Sequence, residues 1–199
     1  PSRGAPQFVV DPAASEIRLL VYRAGPLARF GHNHVVTGPV RGEIRAGRTA
    51  AESGFRLEVP VESLVVDSAE ARAEEGKEFA AEVSAQAREG TRDHMLGAEV
   101  LDAARHPLIR IESISLTGPR WNPTVLARTT LRGVTHELRF PAAVVQHGDR
   151  VTVIASLQIR QSDFGLTPFA ALGGGIRVRD EVDIRVRVVA RHGPRPGSS

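Results

Sequence analysis

The chain has 199 residues, enough for one domain with a core of its own. Its 26 basic residues nearly balance 23 acidic ones, leaving a net charge of +3, and the pI near 10.4 reflects arginine, since Lys77 is the single lysine. One Trp, one Tyr and seven Phe, with no arginine tract among them, argue against nucleic-acid binding, and the lack of cysteine removes disulfides, thiol catalysis and cysteine-ligated metals.

Along the chain the dominant signal is a period of two. Strand candidates fall at 7–10, 16–23, 34–45 and 54–61, the last placing Phe55, Leu57, Val59 and Val61 against Arg56 and Glu58. The period then changes. From Ser68 to about Ala87 good helix formers dominate, with Asp67 or Ser68 as N-cap and Phe79 and Val83 on a shared face, so one or two helices interrupt the sheet. The glutamates of this stretch read as a solvated helix face rather than as paired catalytic carboxylates. Strands resume at 107–117, 124–132, 134–145, 151–161 and 181–190, with turns at Thr117-Gly118-Pro119, Arg132-Gly133 and His147-Gly148-Asp149. In the final strand Val182, Ile184, Val186 and Val188 alternate with Asp183, Arg185 and Arg187.

Strands with one apolar and one polar face are antiparallel-sheet strands, and the apolar face has to be covered by a second sheet or by closure into a barrel. A barrel of about eight strands encloses room for one small ligand. Residues 1–6 and 191–199, rich in Pro, Gly and Ser, read as flexible tails around a domain spanning 7–190. The chain starts at Pro1 and has no apolar run approaching a membrane span, so the expectation is a leader that was removed or trimmed.

Motifs for phosphate binding and serine hydrolysis are missing. Gly173-Gly174-Gly175 lacks the Walker spacing and precedes a strand, and no G-x-S-x-G occurs. Two readings of the loop around Phe164, Leu166, Phe169 and Leu172 stay open: a flap over a barrel mouth, or a loop tucked under its own side chains. In the flap reading, truncating Phe164 or Phe169 weakens ligand enclosure more than stability.

Three stretches carry an identity in fixed order. They are Thr91-Arg92-Asp93-His94-Met95-Leu96 with Ala104-Arg105-His106-Pro107, then Leu131-Arg132-Gly133-Val134-Thr135-His136, then Gln161-Ser162-Asp163-Phe164-Gly165-Leu166. Together with Phe8-Val9-Val10-Asp11-Pro12 and Val40-Arg41-Gly42-Glu43, they resemble the YceI-like family of polyisoprenoid-binding, lipocalin-like proteins. The resemblance implies an all-β fold, an eight-stranded antiparallel lipocalin-like barrel with a helical insertion between strands four and five. It also implies a periplasmic or secreted, non-enzymatic protein that binds, sequesters or transports an isoprenoid, quinone or fatty-acid-like amphiphile without another cofactor. Its assembly state is left open, a homodimer among the options.

On that reading the ligand-facing candidates are Phe30, His32, His34, Arg92, His94, Phe164 and Phe169. Arg92, Asp93 and His94 either meet a head group or fasten the helix to the barrel, and Asp163 is placed to cap its turn while Phe164 reaches the cavity. The chain departs from the family pattern at Gly31-His32-Asn33-His34. Two histidines at i and i+2 on an extended segment point the same way, a geometry that zinc or copper uses. The alternative to lipid binding is therefore a metal-binding protein or metal-dependent enzyme built on His32 and His34, with His94, His136 or Asp93 completing the site.

Overall fold

The alternation read along the chain becomes twelve β-strands in the computed structural model, which describes residues 7–192. They are β1 (Gln7–Val10), β2 (Glu16–Ala24), β3 (His34–Pro39), β4 (Arg41–Arg45), β5 (Gly54–Pro60), β6 (Val65–Val66), β7 (Leu108–Thr117), β8 (Thr124–Leu131), β9 (Val134–His147), β10 (Arg150–Arg160), β11 (Ala170–Ala171) and β12 (Ile176–His192). Neighbours run β1-β4-β5-β7-β8-β9-β10-β12, and β12 returns to β1 through the pairs Phe8–His192 and Val10–Ala190. The sheet is closed, so its strands have no long free edge to template aggregation.

The twelve strands make eight staves. β2 continues the line of β1 along β12, β3 and β4 form the next stave, and β6 extends the line of β5 beside β3. The candidate at 34–45 is thus broken at Val40, level with the bend between β1 and β2. At that bend the Ser15 hydroxyl donates to the Val189 carbonyl (3.2 Å) and accepts from the Val189 N–H (2.9 Å). A buried side chain thereby satisfies backbone groups that the interrupted ladder leaves open. β12 outruns its candidate at both ends: Arg191 and His192, assigned by composition to a tail, pair with Val9 and Phe8. The rest of that tail and residues 1–6 lie outside the described residues.

Gly42 shows how tightly the staves meet. It sits at φ +134°, and a Cβ there would lie 2.0 Å from the Arg56 carbonyl oxygen on β5. Gly42→Ala is expected to destabilise the barrel by about 3 kcal/mol or more, since backbone must move to relieve both the clash and the conformation. Urea titration measures it, and a loss under about 0.5 kcal/mol, as at an ordinary surface site, refutes the argument.

The helical insertion occupies the connection between β6 and β7, after the 54–61 candidate and before the 107–117 one. Because β1 and β2 merge, this is the gap between the third and fourth staves. α1 (Ala69–Glu74) is capped by Ser68 and α2 (Ala85–Leu96) by Ser84, each hydroxyl accepting an N–H at 3.2 Å. The expected helical run through 79–83 is not formed. Gly76, at φ +76°, leads from α1 into a short 3-10 turn at Lys77–Phe79, so Phe79 and Val83 do not share a helix face. Phe79 instead packs with Leu20, Val35 and Ala71 on the outside of β2 and β3, its ring edge-on to Tyr22 at 5.7 Å. Glu75 clamps this layer down, pairing with both Arg18 and Arg185 at 2.8 Å, while Glu74 adds a further pair to Arg18. The insertion therefore covers one outer flank of the barrel and leaves the interior to the strands.

Candidate functional site

Alternation turns one set of side chains inward on every stave. Ile17, Leu19 and Val21 of β2, Leu157 and Ile159 of β10, and Val182, Ile184 and Val186 of β12 face Phe55, Leu57, Ile109, Ile111, Leu138 and Phe140 across a cavity of about 210 Å³. Among the described residues that line it, Thr129 and Gln161 are polar and none is charged. Apolar cavities of about 150 Å³ already stay dry and accept an apolar guest, so this one offers a hydrocarbon a space that water does not occupy favourably. A second chamber of about 70 Å³ adjoins it, sharing Ile44, Phe55, Val125, Ala142 and Val153.

One end of the cavity is covered by two segments. Met95, from the last turn of α2, and Val100 and Leu101 from the loop that follows reach in from one side; Phe164 and Leu166 reach in from the loop after β10. The 3-10 turn Ser162–Phe164 is held in place by its neighbours. The Gln161 carbonyl accepts from Phe164 N–H (3.0 Å) and Leu166 N–H (3.1 Å), and its side-chain amide donates to the Arg179 carbonyl (2.8 Å). Asp180 takes the Ser162 N–H (2.8 Å) and hydroxyl (2.5 Å), and these bonds to Ser162 hold its carboxyl below the usual range. Asp163, expected to cap this turn, is exposed; the capping carboxylate comes from β12.

Of the expected ligand-facing residues, Phe164 lines the cavity, 1% exposed, with the His136 ring edge-on to it at 5.2 Å. It belongs to the core as much as to the lid, so the expectation that its truncation spares stability is corrected. The others stand outside the lining. Phe30 is 61% exposed beneath the Arg29 guanidinium (4.7 Å), and Phe169 is 45% exposed with His94 edge-on to it at 5.0 Å. Arg92 donates to the carbonyls of Glu62 (2.8 Å) and Leu64 (3.4 Å), which ties α2 to the β5–β6 connection: the fastening role. The loop readings therefore divide along the chain, with Phe164 and Leu166 tucked in and Phe169 and Leu172 turned out.

His34 is engaged elsewhere. Its Nδ1 donates to the fully buried Asp67 carboxylate at 2.6 Å; the same carboxylate accepts from Val35 N–H (2.9 Å) and from buried Arg72 (2.6 Å). Arg72 also donates to the carbonyls of Asn33 (2.9 Å) and Ala81 (2.8 Å), and the Asn33 amide bridges Arg23 N–H and the Glu78 carbonyl. Burial raises the Asp67 carboxyl, but the hydrogen bonds from His34, Val35 and Arg72 outweigh it and hold the group below its ordinary range. His32 lies beside His34, ring centroids 6.5 Å apart, while His94 is with Phe169. Among the described residues no three His, Asp or Glu side chains converge as a metal would require, so the set His32, His34 and His94 is not assembled.

Comparison with known proteins now fixes the lineage. Residues 8–190 match the profile of the YceI-like domain. The chain belongs to the YceI-like family. Among solved structures it resembles Burkholderia cenocepacia BcnA, with a TM-score of 0.64 at 17% identity over 90% of this chain and 98% of that one. The Campylobacter jejuni YCEI protein gives a TM-score of 0.55 at 12% identity, over 78% of this chain and 82% of that one. At such identities the likeness concerns the fold. No curated protein matches significantly.

In this YceI-like chain three of the motif stretches, those at 104–107, 131–136 and 161–166, meet although distant in sequence. Asp102 accepts from Arg105 (2.6 Å), Arg132 donates to the Ala98 carbonyl (2.7 Å), and the His106 ring lies so close to Gly133 that a Cβ there would come within 3.0 Å of it. Sequence reading missed Thr129, Gln161, Asp180 and the Asp67–Arg72 pair. A signal existed for Thr129, a polar residue in the inward series Val125, Ala127, Thr129, Leu131. None existed for Asp67, whose partners His34 and Val35 come from β3, more than 30 residues earlier, and Arg72 from α1.

Proposed function

We propose that this protein is a non-catalytic carrier or sequestering protein for a long-chain amphiphile of isoprenoid, quinone or fatty-acid type. The observation that carries the reading is the main cavity itself, whose described lining offers two polar side chains, Thr129 and Gln161, and no charge. Burying a hydrocarbon chain there removes apolar surface from water at roughly 25 cal/mol per Å², which supports tight binding without directional contacts. Thr129 and Gln161 supply hydrogen-bonding groups of the kind that orient one polar end. Neither is an acid, a base or an activated nucleophile of the kind that turnover needs. We further propose action in the periplasm or outside the cell, as the family resemblance implies, which fractionation of the native host decides.

Native mass spectrometry of protein purified from its own host, with metal analysis of the same sample, tests the reading. A co-purifying lipid mass that organic extraction removes is the expected result. Val186→Phe, which projects a ring into the cavity from β12, is expected to lower lipid occupancy about tenfold or more while the protein stays folded. Undiminished occupancy in Val186→Phe, or stoichiometric zinc or copper in place of lipid, overturns it.

A further inference from the structure

A water-insoluble ligand reaches a carrier from a membrane, so the rim that admits it is the place to look for a membrane contact. Two loops stand together at the covered end of the barrel: residues 25–33, joining β2 to β3, and residues 165–175, joining β10 to β12. They are locked to each other through backbone. Leu27 N–H donates to the Gly175 carbonyl at 2.8 Å, and a Cβ on Gly25 would fall 2.6 Å from that same oxygen. On this pair of loops Phe30, Phe169 and Leu172 are 61%, 45% and 72% exposed. Large apolar side chains this open are normal when scattered, but here three occupy one tip.

The charged side chains of the two loops are of one sign, although Glu78 and Asp183 share a pocket with Arg179 at the flank. Between Arg23 and Arg179 the two loops and their flanks, 23–34 and 164–179, carry Arg23, Arg29, Arg177 and Arg179 and no Asp or Glu. The acids that follow, Asp180 and Glu181, are engaged by Ser162 and by Arg160. Arg29 lies over the Phe30 ring, a pairing in which the ring enters the acyl boundary while the guanidinium stays at phosphate level. Behind this tip Phe164 and Leu166, on the same loop as Phe169 and Leu172, cover the cavity.

We propose that the tip formed by residues 25–33 and 165–175 docks on a bilayer bearing anionic lipid, inserting Phe30, Phe169 and Leu172 at the headgroup boundary and setting the arginines against phosphate. The proposal rests on the carrier reading, because docking there presents the covered mouth to the membrane from which an amphiphile is drawn. It names a lipid surface rather than a protein partner, since an exposed ring beneath a guanidinium and loops whose charged side chains are all arginines match a headgroup layer.

Co-sedimentation with phosphatidylcholine vesicles, with and without phosphatidylglycerol, tests it on the full chain. Partitioning is expected to need phosphatidylglycerol, to weaken as salt rises and to fall about tenfold or more in the double variant Phe30→Ser, Leu172→Ser. Both side chains project into solvent, so the variant is expected to keep the unfolding midpoint of the parent. Failure to bind the anionic vesicles, equal binding to the neutral ones, or unchanged partitioning of the variant overturns docking. Lipid occupancy, read by mass spectrometry on the same preparations, separates the two readings: a loaded protein that ignores vesicles loses the docking inference alone, and a docking protein that holds no lipid loses the carrier reading.

Discussion

Asp67→Asn is expected to lower the unfolding free energy by about 3–5 kcal/mol, the range for stranding one partner of a buried ion pair. The amide keeps the shape and suits the left-handed backbone at this position, φ +53°, so the effect isolates the charge. What the charge does is local and specific. It compensates Arg72, which is buried and whose remaining bonds go to carbonyls, and it receives His34 and the Val35 N–H from β3. Equilibrium denaturation measures the loss, and His34→Ala is expected to cost less, since Arg72 and Asp67 stay paired. A loss under about 1 kcal/mol in Asp67→Asn shows that the network is not a determinant of stability.

The same carboxylate sets a pH dependence. Because its folded-state pKa is lowered, its contribution is fully present above the unfolded value of about 3.9 and is lost as pH falls through the lower folded value. Asp180 is shifted in the same direction by its bonds to Ser162, so acid also loosens the turn that carries Phe164. Thermal midpoints are expected to fall below about pH 4 in the parent and to fall less steeply in Asp67→Asn. Parallel curves overturn the assignment.

Phe164→Ala is expected to cost about 3–5 kcal/mol, a drop in melting temperature on the order of 10 °C, because a fully buried ring is removed from a packed site and leaves a void. The void joins the cavity, so ligand retention is expected to fall in the same variant. Phe169→Ala, half-exposed on the same loop, is expected to stay within about 0.5 kcal/mol of the parent. Differential scanning calorimetry on the two variants checks the contrast, and equal losses remove the division of this loop into an inner and an outer part.

Closure, which the alternation left open between a barrel and a second sheet, was settled by the long-range pairing of β1 with β12; the sequence by itself determined the strands and their apolar faces. Each is a consequence of a period that repeats within one segment: Val182, Ile184, Val186 and Val188 declare their face without reference to any other part of the chain. Ser68 likewise announced its helix, since a cap acts three residues away. Tertiary structure decided what depends on meeting across distance. The pair His32 and His34, legible as a two-ligand geometry, is diverted by Asp67, 33 residues away from His34, and no local pattern marks that carboxylate as their neighbour. Gly76, at φ +76°, ends a run of good helix formers, and Phe79 beyond it is buried against Leu20 and Val35, partners far off in sequence. Phe164 and Phe169 look alike as residues of one glycine-rich loop, and only Gln161 and Asp180, which fix the turn between β10 and β12, send one into the barrel and leave the other facing water.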